Sequence, residues 1–270
     1  MDTTLYEEWL LAKGLDPSTV NIYRGKLVAA SRIAGEQGWD LGRMTASELG
    51  SLASYFPDSH ASLSLLRATL IHYWTMLGVA NPVGAIVLPG KPPARYKGLA
   101  DTDADRLEAC AVGVWPSGIV VMLGLYLALR RAEMASLRWD SFTPDLSEAR
   151  IVGKGRRTRF LPVHEALQVE LASHICYGYL FPGRHRDYVH TATIRRWVGD
   201  MAAHADLTIT NPHALRYTCA TRLYEQTGDI HLVQEFLGHS DPSTTSRYLT
   251  RVREERMRAA VQTLNYRMAA

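Results

Sequence analysis

Cysteine is scarce in this chain. Cys110, Cys176 and Cys219 are the full set, odd in number and without paired spacing. They supply neither a disulfide framework nor a zinc site, and they fit a reducing cytosol. Long apolar runs are missing as well: the longest, 118–129, is too short to cross a bilayer and ends in Arg130-Arg131. Met1-Asp2-Thr3 leads straight into a charged amphipathic segment, so neither an apolar leader nor a membrane anchor is expected. Charge of one sign is lacking too. Thirty Lys and Arg stand against 27 Asp and Glu, a net charge of +3. Composition alone therefore does not argue for nucleic acid, and where the arginines cluster matters more.

What is present suffices for two cored units: 270 residues, 47% apolar and 21% charged. Leu5, Trp9 and Leu10 suggest a short first helix stopped at Gly14. Asp16-Pro17-Ser18-Thr19 is helix-cap chemistry, and Val20, Tyr23, Leu27 and Ala30 form the stripe of a second helix. A third helix is expected over 45–55. A fourth, over 61–77, carries Leu65, Ala68 and Ile71 or His72 inward and ends before Gly78. Three prolines in the five residues from Pro89 to Pro93 cannot be helix and mark a linker. With Arg95 and Lys97 it reads either as a basic strap or as an exposed connector with incidental charge.

Helical patterning resumes at Asp101. One helix is expected through Cys110, and a long apolar one over 118–136, interrupted by Arg130-Arg131. The period then changes. Residues 141–143, 149–153 and 158–162 read as short strands, with Lys154-Gly155 at a turn. Helices follow over 165–174 and 191–203, the latter with a basic start at Arg195-Arg196. The expected fold is mainly α with a small antiparallel β-sheet: a helical unit over 1–88, a linker over 89–98, and a mixed α/β unit over 99–270.

The chemistry concentrates in 211–250. Asn211 is a good N-cap and Pro212 a natural first helical residue, which places His213 and Arg216 one above the other on the first turn. Leu215, Cys219 and Leu223 form a separate inner face. Gly228 ends that helix and Asp229 caps the next, whose Ile230, Val233 and Leu237 face inward before Gly238 stops it. His239 follows that helix end, and Asp241-Pro242 starts a third helix carrying Tyr248. Arginine offers a fixed fork of donors to phosphate oxygens, histidine moves a proton near neutral pH, and a tyrosine hydroxyl can be a covalent nucleophile. Together they suit the holding and attack of a phosphodiester. Arg130, at the end of an apolar helix, needs either an anion or a carboxylate such as Glu133 to meet it.

His213-Ala-Leu-Arg216, Leu237-Gly-His239 and Tyr248 nine positions on resemble the second motif box of the tyrosine recombinase (phage integrase) family. Leu129-Arg130-Arg131-Ala-Glu133 and the following Leu137-Arg-Trp139 resemble its first box, although Ala128-Leu129-Arg130 stands where Gly-Leu-Arg is more frequent. Tyr217 likewise replaces a common histidine. Thr19-Val-Asn-Ile-Tyr23 and Asn81-Pro82 are a looser match to the family's core-binding domain. The resemblance implies a helical core-binding domain and a catalytic domain that clamp duplex DNA between them. Tyr248 is then the nucleophile, Arg130 and Arg216 the phosphate clamp, His239 a further donor, His213 the proton acceptor or donor, and Lys154 the general acid. Glu133 braces the site. Arg95, Lys97, Arg156, Arg157, Arg159, Arg195 and Arg196 are expected to contact DNA.

No cofactor or metal is expected, since no acidic cluster with ligand spacing surrounds these motifs. The implied activity is site-specific recombination through a 3′-phosphotyrosine and a Holliday junction. A phage or mobile-element integrase without an arm-binding domain is the first choice, and a cellular chromosome-resolving recombinase the alternative. A type IB topoisomerase or a non-catalytic DNA-binding regulator stands further off. The expected assembly is a tetramer on DNA from monomers in solution, acting in a bacterial cytoplasm on the nucleoid. Met257, Val261, Leu264 and Met268 form one apolar stripe near the C-terminus, suited to docking on its own domain or on a neighbouring protomer.

Overall fold

The computed structural model describes residues 2–80, 82–90, 98–153, 157–208 and 211–238. The chain divides into two compact units, Met1–Pro93 and Ala94–Ala270. No helix among the described residues is long and apolar enough to cross a membrane.

The first unit consists of α1 (Thr4–Ala12), α2 (Pro17–Glu36), α3 (Ala46–Ser54) and α4 (His60–Leu77). Local chemistry sets their ends. The Asp16 carboxylate accepts from the Ser18 N–H at the start of α2, and Thr45 and Glu48 cap α3 reciprocally. Gly78 closes α4 at φ 67°, a left-handed position where glycine is unstrained. Val20, Leu27 and Ala30 are buried as the stripe of α2 requires. The inner face of α4 differs from expectation. Leu65 and Ala68 are half-buried and Ile71 is exposed, whereas Leu63, Leu66, Leu70, Tyr73 and Trp74 form the core. Two anchors set this phase: Trp74 Nε1 donates to the Leu41 carbonyl at 2.8 Å, and Tyr6 Oη to that of Thr69 at 3.0 Å. Burying an indole with its N–H satisfied outweighs burying Ile71. The same preference turns α1, which buries Tyr6 and Leu10 and leaves Leu5 in solvent.

The second unit runs α5 (Asp101–Ala111), α6 (Ser117–Leu127), α7 (Arg131–Ala135), β1 (Glu148–Val152), β2 (Thr158–Pro162), α8 (Glu165–Ala172), α9 (Thr191–His204), α10 (Pro212–Thr227) and α11 (Ile230–Leu237). Helix α6 is its axle. It is apolar on all sides, and such a helix has to be enclosed; α5, α8, α9 and α10 pack around it. Two glycines let neighbours come close: a Cβ on Gly118 would lie 2.0 Å from the Ala111 carbonyl oxygen of α5, and one on Gly124 would lie 2.7 Å from the Leu215 Cβ of α10.

β1 and β2 pair antiparallel, from Glu148 opposite Pro162 to Val152 opposite Thr158. Residues 141–143, expected as a strand, do not form one. The Trp139 N–H donates to the Gly178 carbonyl, and Trp139–Ser141 makes a 3-10 turn. An isolated bridge, Phe142 with Ala149, joins this stretch to β1. Cys219 packs beside Ala220, Val233 and Leu237, and burial pushes its thiol up to about 12. It is a core side chain.

Candidate active site

The site begins where α6 breaks. A single helix expected over 118–136 is instead split by Ala128, which takes the left-handed conformation at φ 49°. A residue with a Cβ pays about 1–2 kcal/mol there, and glycine does not. The departure from Gly-Leu-Arg thus falls on the residue that makes the bend. Arg216 offsets the strain by donating Nη1 to the Ala128 carbonyl.

Past the bend, Arg130 is the N-cap of α7. Its backbone N–H donates to Glu133 Oε2 at 2.7 Å and its Nη1 to Glu133 Oε1 at 2.9 Å. The spacing follows from helix geometry, since a side chain at the third helical position reaches back to the N-cap amide. Arg130 therefore turns in to the acid, while Arg131 is exposed.

A second arginine grips the same carboxylate from the hairpin. Arg159 Nη1 lies 3.0 Å from Glu133 Oε1 and Nη2 lies 2.9 Å from Oε2. Sequence reading placed Arg159 on the DNA backbone beside Arg156 and Arg157. The structure instead turns it inward, its side chain 10% exposed. The strand period is the reason: Arg159 and Leu161 share a face, with Thr158 and Phe160 on the other. Gly153, where β1 leaves the sheet, closes over the pair; a Cβ there would sit 3.4 Å from Glu133 Oε1.

Burial alone would raise the Glu133 carboxyl. Arg159 and then Arg130 outweigh it and hold the group at about 2, from an ordinary 4.5. A depressed carboxylate stabilises the fold above its unfolded value, by about 3 kcal/mol here. That contribution is expected to disappear as pH falls from 4.5 towards 2. Denaturant titrations across this range should show it, and Glu133→Gln should flatten this part of the profile.

Helices α10 and α11 complete the arrangement. Asn211 accepts from the His213 N–H at 2.9 Å and starts α10. His213 is exposed, whereas Arg216 is 1% exposed. Arg216 Nη2 donates to the Leu237 carbonyl at 2.6 Å, and Arg130 Nη2 lies 3.5 Å from that of Gly238. Gly238 ends α11 at φ 62°, and a Cβ on it would come within 3.0 Å of Arg159 Cδ. Arg130, Glu133, Arg159 and Arg216 are thus gathered at one helix end.

Arg157, Arg195 and Arg196 are exposed. Lys154, His239 and Tyr248 lie outside the described residues, as do Arg95, Lys97, Arg156 and the stripe of Met257, Val261, Leu264 and Met268. A groove of about 740 Å³ opens between Trp115, Phe181 and Trp197, rimmed by Arg184, Arg186 and Arg196. None of the four gathered residues lines it.

Residues 107–255 match the phage integrase family. The chain is 32% identical to tyrosine recombinase XerC of Alcanivorax borkumensis, over 87% of its own length and 83% of the relative's. It is 29% identical to tyrosine recombinase XerA of Thermococcus kodakarensis, over 94% and 92%. A solved structure of XerH site-specific recombinase bound to palindromic difH substrate, a post-cleavage complex, has the same fold. The TM-score is 0.68 at 17% identity, covering 92% of this chain and 81% of that one. The protein is an enzyme of the site-specific tyrosine recombinase class. It belongs to the phage integrase family.

Proposed function

We propose that this recombinase cuts duplex DNA by attack of Tyr248 on the scissile phosphate. The tyrosine oxygen forms a bond to phosphorus, the bond to the 5′ oxygen breaks, and a 3′-phosphotyrosine remains. The observation that carries this reading is the convergence of Arg130 and Arg216 on the final carbonyls of α11, Gly238 and Leu237. From that point the chain runs through His239 to Tyr248. Two guanidiniums fixed at one place offer preorganised donors to a pentavalent phosphorane.

In this mechanism His213 takes the tyrosine proton and His239 adds a hydrogen bond to the phosphorane. Lys154 protonates the departing 5′ oxygen. The bond energy stays in the phosphotyrosine, so rejoining to a partner strand through a Holliday junction needs neither ATP nor metal. Arg157, Arg195 and Arg196, with Arg95, Lys97 and Arg156, supply phosphate contacts. The first unit, 1–88, and the catalytic unit both bind the duplex. Four subunits assemble on two duplexes from free monomers, in the cytoplasm on nucleoid DNA, the C-terminal stripe linking neighbours.

Trapping on a nicked duplex that releases the short fragment bearing the freed 5′-hydroxyl tests this. Wild-type protein is expected to form a covalent adduct that survives denaturation and is insensitive to EDTA. Relaxation of supercoils without site preference would instead mark a type IB topoisomerase. For the biological target, a phage or mobile-element integrase is one reading. The similarity to XerC and XerA over most of their lengths favours the other, a chromosome-resolving recombinase. Recombination of the host's own chromosomal site, against that of phage attachment sites, separates them.

A further inference from the structure

We propose that Arg159 is a positioning residue for Arg130: by gripping Glu133 from the hairpin it fixes where the Arg130 guanidinium points. The inference rests on the recombinase chemistry above and adds a residue to which that chemistry gave no part. Glu133 receives four donors within 2.7–3.0 Å, two from Arg130 and two from Arg159. Its two oxygens are divided evenly, each taking one bond from either arginine. A carboxylate held by Arg130 alone could swing with it. Held on both oxygens by a planar fork from another element, it becomes a fixed post.

Arg159 is also the place where three parts of the site touch. It stands on β2, the strand that follows Lys154 in the sequence. It meets α7 through Glu133, and its Cδ packs under Gly238 at the end of α11. Its Nε is buried, with no hydrogen-bond partner among the described residues. A side chain placed to reach DNA would not be sealed in this way. Among the described residues, the charged groups acting on Glu133 are Arg130 of its own element and Arg159 of the hairpin. Gly153 contributes only backbone.

The test uses the full chain with Arg159→Met, Arg159→Lys, Glu133→Gln and the Arg159→Met, Glu133→Gln double variant. Two readouts are followed across pH: the Glu133 carboxyl by carbon-13 NMR, and single-turnover cleavage of the nicked duplex. Arg159→Met is expected to raise the Glu133 midpoint from its value of about 2, since burial then faces one guanidinium instead of two. Cleavage should fall up to about 100-fold, the scale of a misplaced catalytic group. It should also gain an acid limb at the new midpoint that wild type lacks, while the dissociation constant for DNA at fixed salt stays unchanged.

Arg159→Lys should restore the midpoint more than the rate, because a point charge cannot hold both oxygens. The double variant should lose no more than the worse single variant. A folded Arg159→Met protein with wild-type cleavage and pH profile would overturn the proposal. So would weakened DNA binding with cleavage of bound DNA intact, which would make Arg159 a phosphate contact after all. Should Arg159→Met not fold, Arg159→Lys carries the same comparison. If wild type cleaves no DNA the recombinase reading itself fails, and the NMR midpoint still decides whether Arg159 holds the acid.

Discussion

Arg216→Ala is expected to lower single-turnover cleavage by about 10²–10³-fold, the loss found when one preorganised donor to a developing oxyanion is removed. The position explains why no neighbour can replace it. Arg216 is 1% exposed, held between the Ala128 carbonyl at the break after α6 and the Leu237 carbonyl at the end of α11. A guanidinium restrained at both ends does not have to be ordered when the phosphate arrives. The same burial adds a stability effect. Alanine leaves both carbonyls without this donor, at about 1–3 kcal/mol for each buried group left unsatisfied.

The two effects separate if cleavage is measured well below the variant's melting temperature with DNA bound at saturation. Arg216→Lys keeps the charge but not the fork, and should recover stability better than rate. In the proposed mechanism His213 and Arg216 serve one phosphate, so the double alanine variant should fall well short of the product of the single losses. A folded Arg216→Ala protein that cleaves like wild type would remove Arg216 from the clamp.

Much of this arrangement was legible because it is written in local chemistry. Asn211 and Pro212 start α10, Asp229 starts α11, and Gly228 and Gly238 close them, each through capping that a few adjacent residues decide. The Arg130–Glu133 pair follows from three-residue spacing at a helix start. Arg159 was hidden by its neighbours. In Arg156-Arg157-Thr158-Arg159 the charge suggests one basic surface, although the strand period puts Arg159 on the face of Leu161. The break at Ala128 was not legible either. Tertiary contacts, among them the Arg216 bond to its carbonyl, hold a non-glycine residue in a left-handed conformation. The turn of α4 depended on Trp74 reaching Leu41, a partner far away in sequence.

Tyr248→Phe is expected to abolish the covalent adduct while leaving DNA affinity at a given salt concentration unchanged. The substitution removes one oxygen and keeps the ring, so whatever packing the side chain has survives. Affinity should hold because most of it would come from phosphate contacts made by arginines and lysines, a contribution that weakens with salt and does not involve this hydroxyl. Chemistry should stop because the arginines, the histidines and Lys154 can stabilise or protonate but cannot form the phosphoester bond. The position is singled out by spacing, nine residues after His239, on the chain that leaves the helix end where Arg130 and Arg216 meet. Denaturing gels of protein trapped on the nicked duplex, beside salt-matched binding isotherms, give both readouts. An adduct at wild-type level in Tyr248→Phe would pass the nucleophile's role to another tyrosine, with Tyr266 the first to replace.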